Sequence, residues 1–118
     1  MNISAALSRV DGDSPLLAEL AAIFLQEYPI LLCQVRDSIL QRDHVGLERG
    51  AHTLKGRLDF FAIEEVQILA LRLEMTAKDH DWSGARKTLK IIETGMVHVL
   101  QEFELLSRDF ATTRRRRA

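Results

Sequence analysis

A histidine on the outward side of a helical segment is the residue best placed to do chemistry. His52 lies in the run Ala51-His52-Thr53-Leu54-Lys55-Gly56. At about 100° per residue, its side chain points roughly 140° away from the apolar stripe of that segment. A histidine side chain is mostly neutral near neutral pH, and the neutral imidazole is nucleophilic. An exposed ring of this kind can therefore attack a phosphoryl donor through one nitrogen.

Two neighbours on the same face suit a histidine that carries a phosphoryl group. Lys55 follows one turn later, where its cation can offset phosphoryl charge. Gly56 occupies the next position, although a glycine inside a helix costs about 1 kcal/mol relative to alanine. We infer that this position needs open space, through which a partner approaches the imidazole in line. The bland alternative is an ordinary surface histidine, which is how we interpret His44, His80 and His98.

The hydrophobic pattern predicts helices and no strand. A short helix over 3–10 is followed by a second that opens at Ser14-Pro15, and Pro29 is expected to break or kink the chain before a third over 30–41. The predicted apolar face of the second helix comprises Leu16, Leu20, Ile23, Phe24 and Tyr28. The third carries Leu31, Leu32, Val35 and Ile39 inward.

The remaining segments carry regular apolar seams. Asp43 is the predicted N-cap of a helix whose seam is Leu47, Ala51, Leu54, Leu58 and Phe61, at a 4-3-4-3 spacing. The next begins near Ile63 with inward residues Val66, Leu69, Ala70, Leu73 and Ala77. The last begins near Trp82 and carries Ala85, Leu89, Ile92, Met96, Val99, Phe103, Leu106 and Phe110.

These segments predict an all-α protein. Helices joined by short loops run antiparallel, so we expect an up-down four-helix bundle with one or two short N-terminal capping helices. A single domain over 1–110 would precede a disordered basic tail over 111–118 that contains Arg114 to Arg117. A coiled-coil dimer is the alternative, but the breaks are short and the segments differ in length.

Composition excludes several classes of protein. The chain has 118 residues and a formal net charge of −1, so its total charge does not call for nucleic acid or an anionic membrane. Cys33 is the single cysteine, which leaves no disulfide framework and no cysteine-rich metal site. No apolar run approaches the roughly 20 residues that span a bilayer, and the first residues lack the basic start and apolar stretch of a signal peptide. We expect a cytoplasmic protein, or a cytosolic module of a larger membrane sensor kinase.

The run around His52 resembles the core motif of histidine phosphotransfer (HPt) domains. His52 matches the phosphoacceptor, Lys55 the basic position and Gly56 the small-residue position. The similarity extends to Asp13-Ser14-Pro15, Leu73-Glu74 and Asp81-Trp82, and covers about residues 3–106.

The resemblance implies a monomeric helical bundle that shuttles a phosphoryl group between His52 and aspartates of receiver domains. Its partners would be response-regulator receiver domains and a hybrid sensor histidine kinase. The chain would hold no cofactor, because the receiver supplies Mg²⁺, and it would have no kinase activity. Glu74 stands at the family's hydrogen-bonding position and would contact the free imidazole nitrogen. A solvated Glu74 paired with Lys78 at i+4 is the alternative.

Three residues depart from the family pattern. Arg57 follows the motif glycine, where many members have serine or alanine. Asp59, with Phe60 beside it, replaces small residues two turns past His52, and Ala62 replaces the second glycine. We expect partner docking on Glu48, Arg57, Asp59 and Phe60.

Two other functions are compatible with these residues. The departures at Arg57 and Asp59 would suit a binding module that holds a receiver or kinase without accepting phosphate. A metal site would use His52, Glu48 and Asp59, but no second histidine lies at ligand spacing and HExxH is absent.

Overall fold

The computed structural model describes residues 1–117, and side chains over residues 1–108. Five helices and no strand occur in this part of the chain: α1 (Ile3–Ser8), α2 (Ser14–Leu40), α3 (His44–Phe60), α4 (Glu64–Lys78) and α5 (Trp82–Arg117). Helices α2 to α5 form an antiparallel bundle in which each packs against two others, and α1 packs on α2. The all-α prediction and the four-helix bundle with a short N-terminal helix are confirmed.

Helix α2 corrects the prediction of a break at Pro29. It runs for 27 residues without interruption through this proline. Pro29 is exposed, while Phe24, Tyr28 and Val35 are buried in one continuous stripe on both sides of it. A proline inside a helix removes one backbone hydrogen bond. The packing of an in-phase apolar stripe across it outweighs that loss and keeps the helix whole.

The buried face of α2 also differs from the predicted one. Leu17, Ala18 and Ala21 are buried, whereas Leu16 and Ile23 are exposed. Leu20 is half-buried at the edge. Because α2 is apolar on most sides, its sequence period does not select one face. By length and composition this unbroken helix could also span a membrane, contrary to our expectation; 33% of its most apolar window is buried in the bundle.

The seams of α3, α4 and α5 are confirmed. All five predicted core positions of α3 are buried, from Leu47 to Phe61. Phe24, Phe61 and Phe103 pack together, with ring centroids 5.0 Å apart between Phe24 and Phe103 and 4.5 Å apart between Phe61 and Phe103. In α4 and α5 the predicted inward residues are buried, apart from half-buried Leu69 and Leu106. Phe110 lies outside the described side chains.

The three loops of the bundle share one short backbone form. Arg42, Ala62 and His80 each adopt a positive φ of 54° to 55° between two helices. The next residue donates its amide to a carbonyl of the preceding helix, as Ile63 does to Leu58 at 2.9 Å. Ala62 therefore stands where a left-handed residue is required, and a glycine would adopt this conformation at lower cost. The replacement of the family's second glycine by Ala62 therefore affects the turn between α3 and α4.

Gly50 sets the distance between α2 and α3. A Cβ at this position would lie 2.8 Å from Val35 Cγ2, closer than packed carbons approach. The glycine therefore lets α3 lie close to α2 along its inner face. Asp43 caps α3 by accepting a hydrogen bond from the Gly46 amide at 3.0 Å, as predicted. Together these contacts fix the position of α3, which carries His52.

The predicted tail over 111–118 begins within α5, whose backbone is described as helical to Arg117. The assignment of this tail as disordered stays a prediction. Ala118 and the side chains of Arg114 to Arg117 lie outside the described residues, and the domain division at 110 stays a prediction.

Replacing Leu58, which is fully buried, by alanine should lower the free energy of unfolding by roughly 2–5 kcal/mol. The cost combines lost burial with the cavity left behind. Chemical denaturation measures it. The control is Leu40→Ala at a position 79% exposed, which should change stability by about 0.5 kcal/mol or less. Equal effects at the two positions would contradict the assignment of the core.

Candidate functional site

His52 projects from the middle of α3 into solvent. Its side chain is 70% exposed, so neither the bundle nor a neighbouring residue covers the ring. Ala51 and Leu54 on either side of it are buried. The helix is therefore anchored by its core face while it presents the imidazole on the opposite side.

A buried carboxylate on the neighbouring helix contacts the imidazole. Glu74 of α4 is only 7% exposed, and its Oε1 lies 3.0 Å from His52 Nδ1. Its second oxygen, Oε2, accepts a hydrogen bond from Lys55 Nζ at 2.7 Å. One carboxylate thus joins two side chains of α3 that stand three residues apart. Lys78 contacts Glu48 at 3.8 Å, so the alternative i+4 pairing with Glu74 is not formed.

The environment of Glu74 keeps its carboxylate ionised. The hydrogen bond from Lys55 holds the pKa of Glu74 below its ordinary value, and the contact with His52 lowers it further, while burial acts in the opposite direction. A buried carboxylate is stable in the charged form only when such partners are present.

The contact with Glu74 selects one tautomer of the neutral imidazole. An ionised carboxylate only accepts hydrogen bonds, so the ring nitrogen facing it must carry the proton. His52 therefore donates from Nδ1–H, and Nε2 keeps its lone pair on the far side of the ring. Carboxylates that bind histidine in this way fix ring orientation and raise basicity at the other nitrogen. The arrangement is suited to nucleophilic attack by Nε2.

Gly56 leaves space beside the imidazole. It is exposed, and a Cβ built on it would have no heavy atom within 4 Å outside its own helical surroundings. No packing constraint therefore requires a glycine here. The position differs in this respect from Gly50, where a side chain would collide with α2.

The predicted docking residues occupy different parts of the surface. Arg57 Nε donates to Glu27 Oε2 of α2 at 3.1 Å. Asp59 lies on the other side, where its Oδ2 is 3.7 Å from Arg9 Nη1 and its Oδ1 accepts from Gln67 at 3.3 Å. Each charge is thus met within the chain.

Phe60 belongs to a cleft between α2 and α3. It is half-buried against Phe61, and the cleft is also lined by Leu20, Ile23 and Gly56. The sequence did not predict that Leu20 and Ile23 would border the site, because both were assigned to the core. Glu48, the fourth predicted docking residue, lies beside His52 in a shallow depression with Arg49 and Val45.

Arg49 is a neighbour of His52 that our reasoning from sequence missed. It stands three residues before His52, and residues at this spacing are adjacent on a helix surface. That spacing was the signal available in the sequence, as it was for Lys55 three residues after His52.

The metal alternative needs His52, Glu48 and Asp59 in one group. Among the described residues, no group of three or more His, Cys, Asp or Glu side chains is placed to hold an ion. Asp59, which the metal site would need, is engaged by Arg9 and Gln67.

Replacing Glu74 by glutamine should destabilise the fold near neutral pH, because Lys55 loses its charged partner. The pKa of Glu74 is lowered from 4.5 on folding, so its contribution is complete above pH 4.5 and is lost as the pH falls through the folded value. The stability gap to wild type should therefore narrow below pH 4.5. Denaturation across this range measures it, with exposed Glu64→Gln as the control; a gap independent of pH would contradict the assignment.

Comparison with protein families identifies this arrangement. The model of the Hpt domain matches residues 19–108, which is most of the chain and includes His52, Lys55, Gly56 and Glu74. A comparison with curated proteins gave no match, and neither did a comparison with solved structures. Hpt domains are helical phosphocarriers of two-component phosphorelays that interact with receiver domains and kinases. The chain belongs to the Hpt domain family.

Proposed function

We propose that His52 accepts a phosphoryl group from a receiver-domain aspartate and passes it to the aspartate of another receiver. The observation that carries this proposal is the exposed imidazole whose Nδ1 is bonded to a buried, ionised carboxylate. This contact leaves Nε2 as the nucleophile and holds the ring without covering it.

The transfer steps balance in atoms and charge. The Nε2 lone pair forms an N–P bond while the P–O bond of the aspartyl phosphate breaks, and the aspartate leaves as a carboxylate. Glu74 stabilises the positive charge that develops on the ring through its bond to Nδ1–H. In the second step a receiver carboxylate attacks phosphorus, the N–P bond breaks and the ring becomes neutral again. The Mg²⁺ for both steps would come from the receiver domain.

Lys55 supports the site through Glu74. Its ammonium group neutralises the carboxylate at 2.7 Å, which keeps the charge of Glu74 compatible with burial. Without this partner the carboxylate would gain a proton more readily. A protonated carboxyl group can also donate a hydrogen bond, so it would no longer keep the proton of the ring on Nδ1.

We propose that the cleft between α2 and α3 receives the partner. Ile23 is 46% exposed, and with Leu20 and Phe60 it forms an apolar patch beside Gly56. The Arg57–Glu27 pair lies at the same cleft and offers charged contacts. A small apolar centre with a charged rim suits the brief encounters of a relay.

The same proposal covers the setting of the domain. We propose that it acts as a monomer in the cytoplasm, either free or as a module of a hybrid sensor kinase, and without kinase activity. The binding-only alternative makes no use of the exposed imidazole or of the Glu74 contact that leaves Nε2 without a proton.

Incubation with a panel of phosphorylated receivers tests the function. Wild type should acquire acid-labile, base-stable phosphate at His52, and His52→Gln should acquire none because its amide nitrogen is not a nucleophile. Exposed His98→Gln is the matched control and should be labelled normally. Persistent phosphorylation of His52→Gln, with its folding verified by circular dichroism, would rule out His52 as the acceptor.

Replacing Gly56 by alanine should raise the free energy of unfolding by about 1 kcal/mol, since alanine favours the helix and its Cβ meets open space. The added methyl should also slow phosphoryl transfer from a receiver. Thr94→Ala, at an exposed position of α5, is the control that improves helix propensity far from His52. Unchanged transfer rates in Gly56→Ala would contradict the need for open space.

A further inference from the structure

We propose that Arg49 is the residue that binds the phosphoryl group on His52, whereas Lys55 acts through Glu74. This inference rests on the proposed function, because it names a ligand for the phosphorylated form of the same histidine.

Arg49 and Lys55 stand on opposite flanks of His52. At about 100° per residue, the position three before His52 is rotated roughly 60° to one side and the position three after it roughly 60° to the other. Lys55 occupies the side of α4, as its bond to Glu74 shows. Arg49 therefore occupies the side away from α4.

The two cations differ in their availability. Lys55 is 26% exposed, and its ammonium group is bonded to the buried carboxylate at 2.7 Å. Arg49 is exposed, and among the described side chains no carboxylate lies within ion-pair distance of its guanidinium. Moving Lys55 to a phosphoryl group would leave Glu74 as a buried charge without its main partner. Moving Arg49 breaks no ion pair.

The orientation of the ring turns Nε2 away from Glu74. Nδ1 faces Glu74 at 3.0 Å, so Nε2 lies on the far side of the imidazole. Helical side chains lean toward the N-terminal turn, which brings the His52 ring over the turn that contains Arg49. Both residues line one shallow depression, which Val45, Glu48 and Glu74 also border.

Gly56 leaves the space on the C-terminal side of His52 free of side-chain atoms. It stands one turn after His52 on the same side as Arg49, and it adds no side chain to the space. A phosphoryl group on Nε2 would thus have a cation on its N-terminal side and open approach on its C-terminal side. The partner's aspartate can enter past Gly56 while Arg49 holds the phosphoryl oxygens.

The chemistry of guanidinium suits this role. Arginine presents two parallel N–H donors that match a pair of phosphoryl oxygens, and it remains charged at every relevant pH. A cation beside the phosphoryl group favours its dianion, because the opposite charge stabilises the ionised form.

Phosphorylation by phosphoramidate tests the assignment without a receiver domain. The Nε2 lone pair forms the N–P bond as the P–N bond of phosphoramidate breaks, and the nitrogen leaves as ammonia. The ionisation of the phosphoryl group is then followed by ³¹P NMR across pH in wild type, Arg49→Gln, Arg49→Lys and Lys55→Gln. Arg86→Gln is the matched control, because it removes an exposed arginine of α5 with the same change in net charge.

Arg49→Gln should raise the pKa of the phosphoryl group by roughly half a unit, a value reduced from that of buried pairs by solvent screening. Arg49→Lys should give a smaller rise, and Arg86→Gln and Lys55→Gln should give little. Equal behaviour of Arg49→Gln and Arg86→Gln, or a larger effect of Lys55→Gln, would overturn the inference while leaving the acceptor role of His52 intact. Absence of label from His52 in wild type would overturn both.

Discussion

The carboxylate of Glu74 is the group on which the geometry of the site depends. It is buried between α3 and α4, and its two oxygens bind two different side chains of α3. A buried charge in this position is tolerated only while both contacts are made. These contacts therefore favour the one register of α3 and α4 in which Glu74 reaches both His52 and Lys55. The same contacts give His52 its tautomer and orientation. The stability of the helix pair and the reactivity of the imidazole thus rest on one group.

The bundle makes this possible by keeping its helices in fixed register. Three loops of the same form connect its four helices, each with a left-handed residue between two helix ends. Gly50 lets α3 lie close to α2, while the aromatic cluster of Phe24, Phe61 and Phe103 packs three helices together. Because packed cores deform little, α3 can hold a solvent-exposed ring in one place. Glycine serves α3 in two opposite ways, by close approach at Gly50 and by open space at Gly56.

Several charged side chains near His52 are paired within the chain. Arg57 is paired with Glu27, and Asp59 with Arg9, so the residues that depart most from the family pattern are neutralised locally. If Asp59 lies on the proposed docking face, a free carboxylate there would repel the acidic active site of a receiver. The contact of Asp59 with Arg9 reduces that repulsion, although both side chains remain about half exposed and the pair is correspondingly weak.

Much of the fold follows from the sequence, since the apolar seams of α3, α4 and α5 repeat at helical spacing over several turns. The same periodicity placed His52 on the outward face. The buried face of α2 and its continuity through Pro29 were predicted wrongly. The helix is apolar on most sides, so its pattern does not indicate which face is buried or whether the helix continues past the proline. The packing of neighbouring helices decided both.

The candidate site divides in the same way. Local spacing determined which residues of α3 share a face with His52, because neighbours three and four apart on a helix are fixed by its geometry. The contact of Glu74 with the imidazole was inferred only through a family resemblance. It joins residues 22 positions apart in the chain, and only the packing of α4 on α3 brings them within hydrogen-bonding distance. The partners of Lys55, Arg57 and Asp59 were likewise decided by tertiary structure, because long charged side chains can reach several neighbours and the packed helices determine which are present.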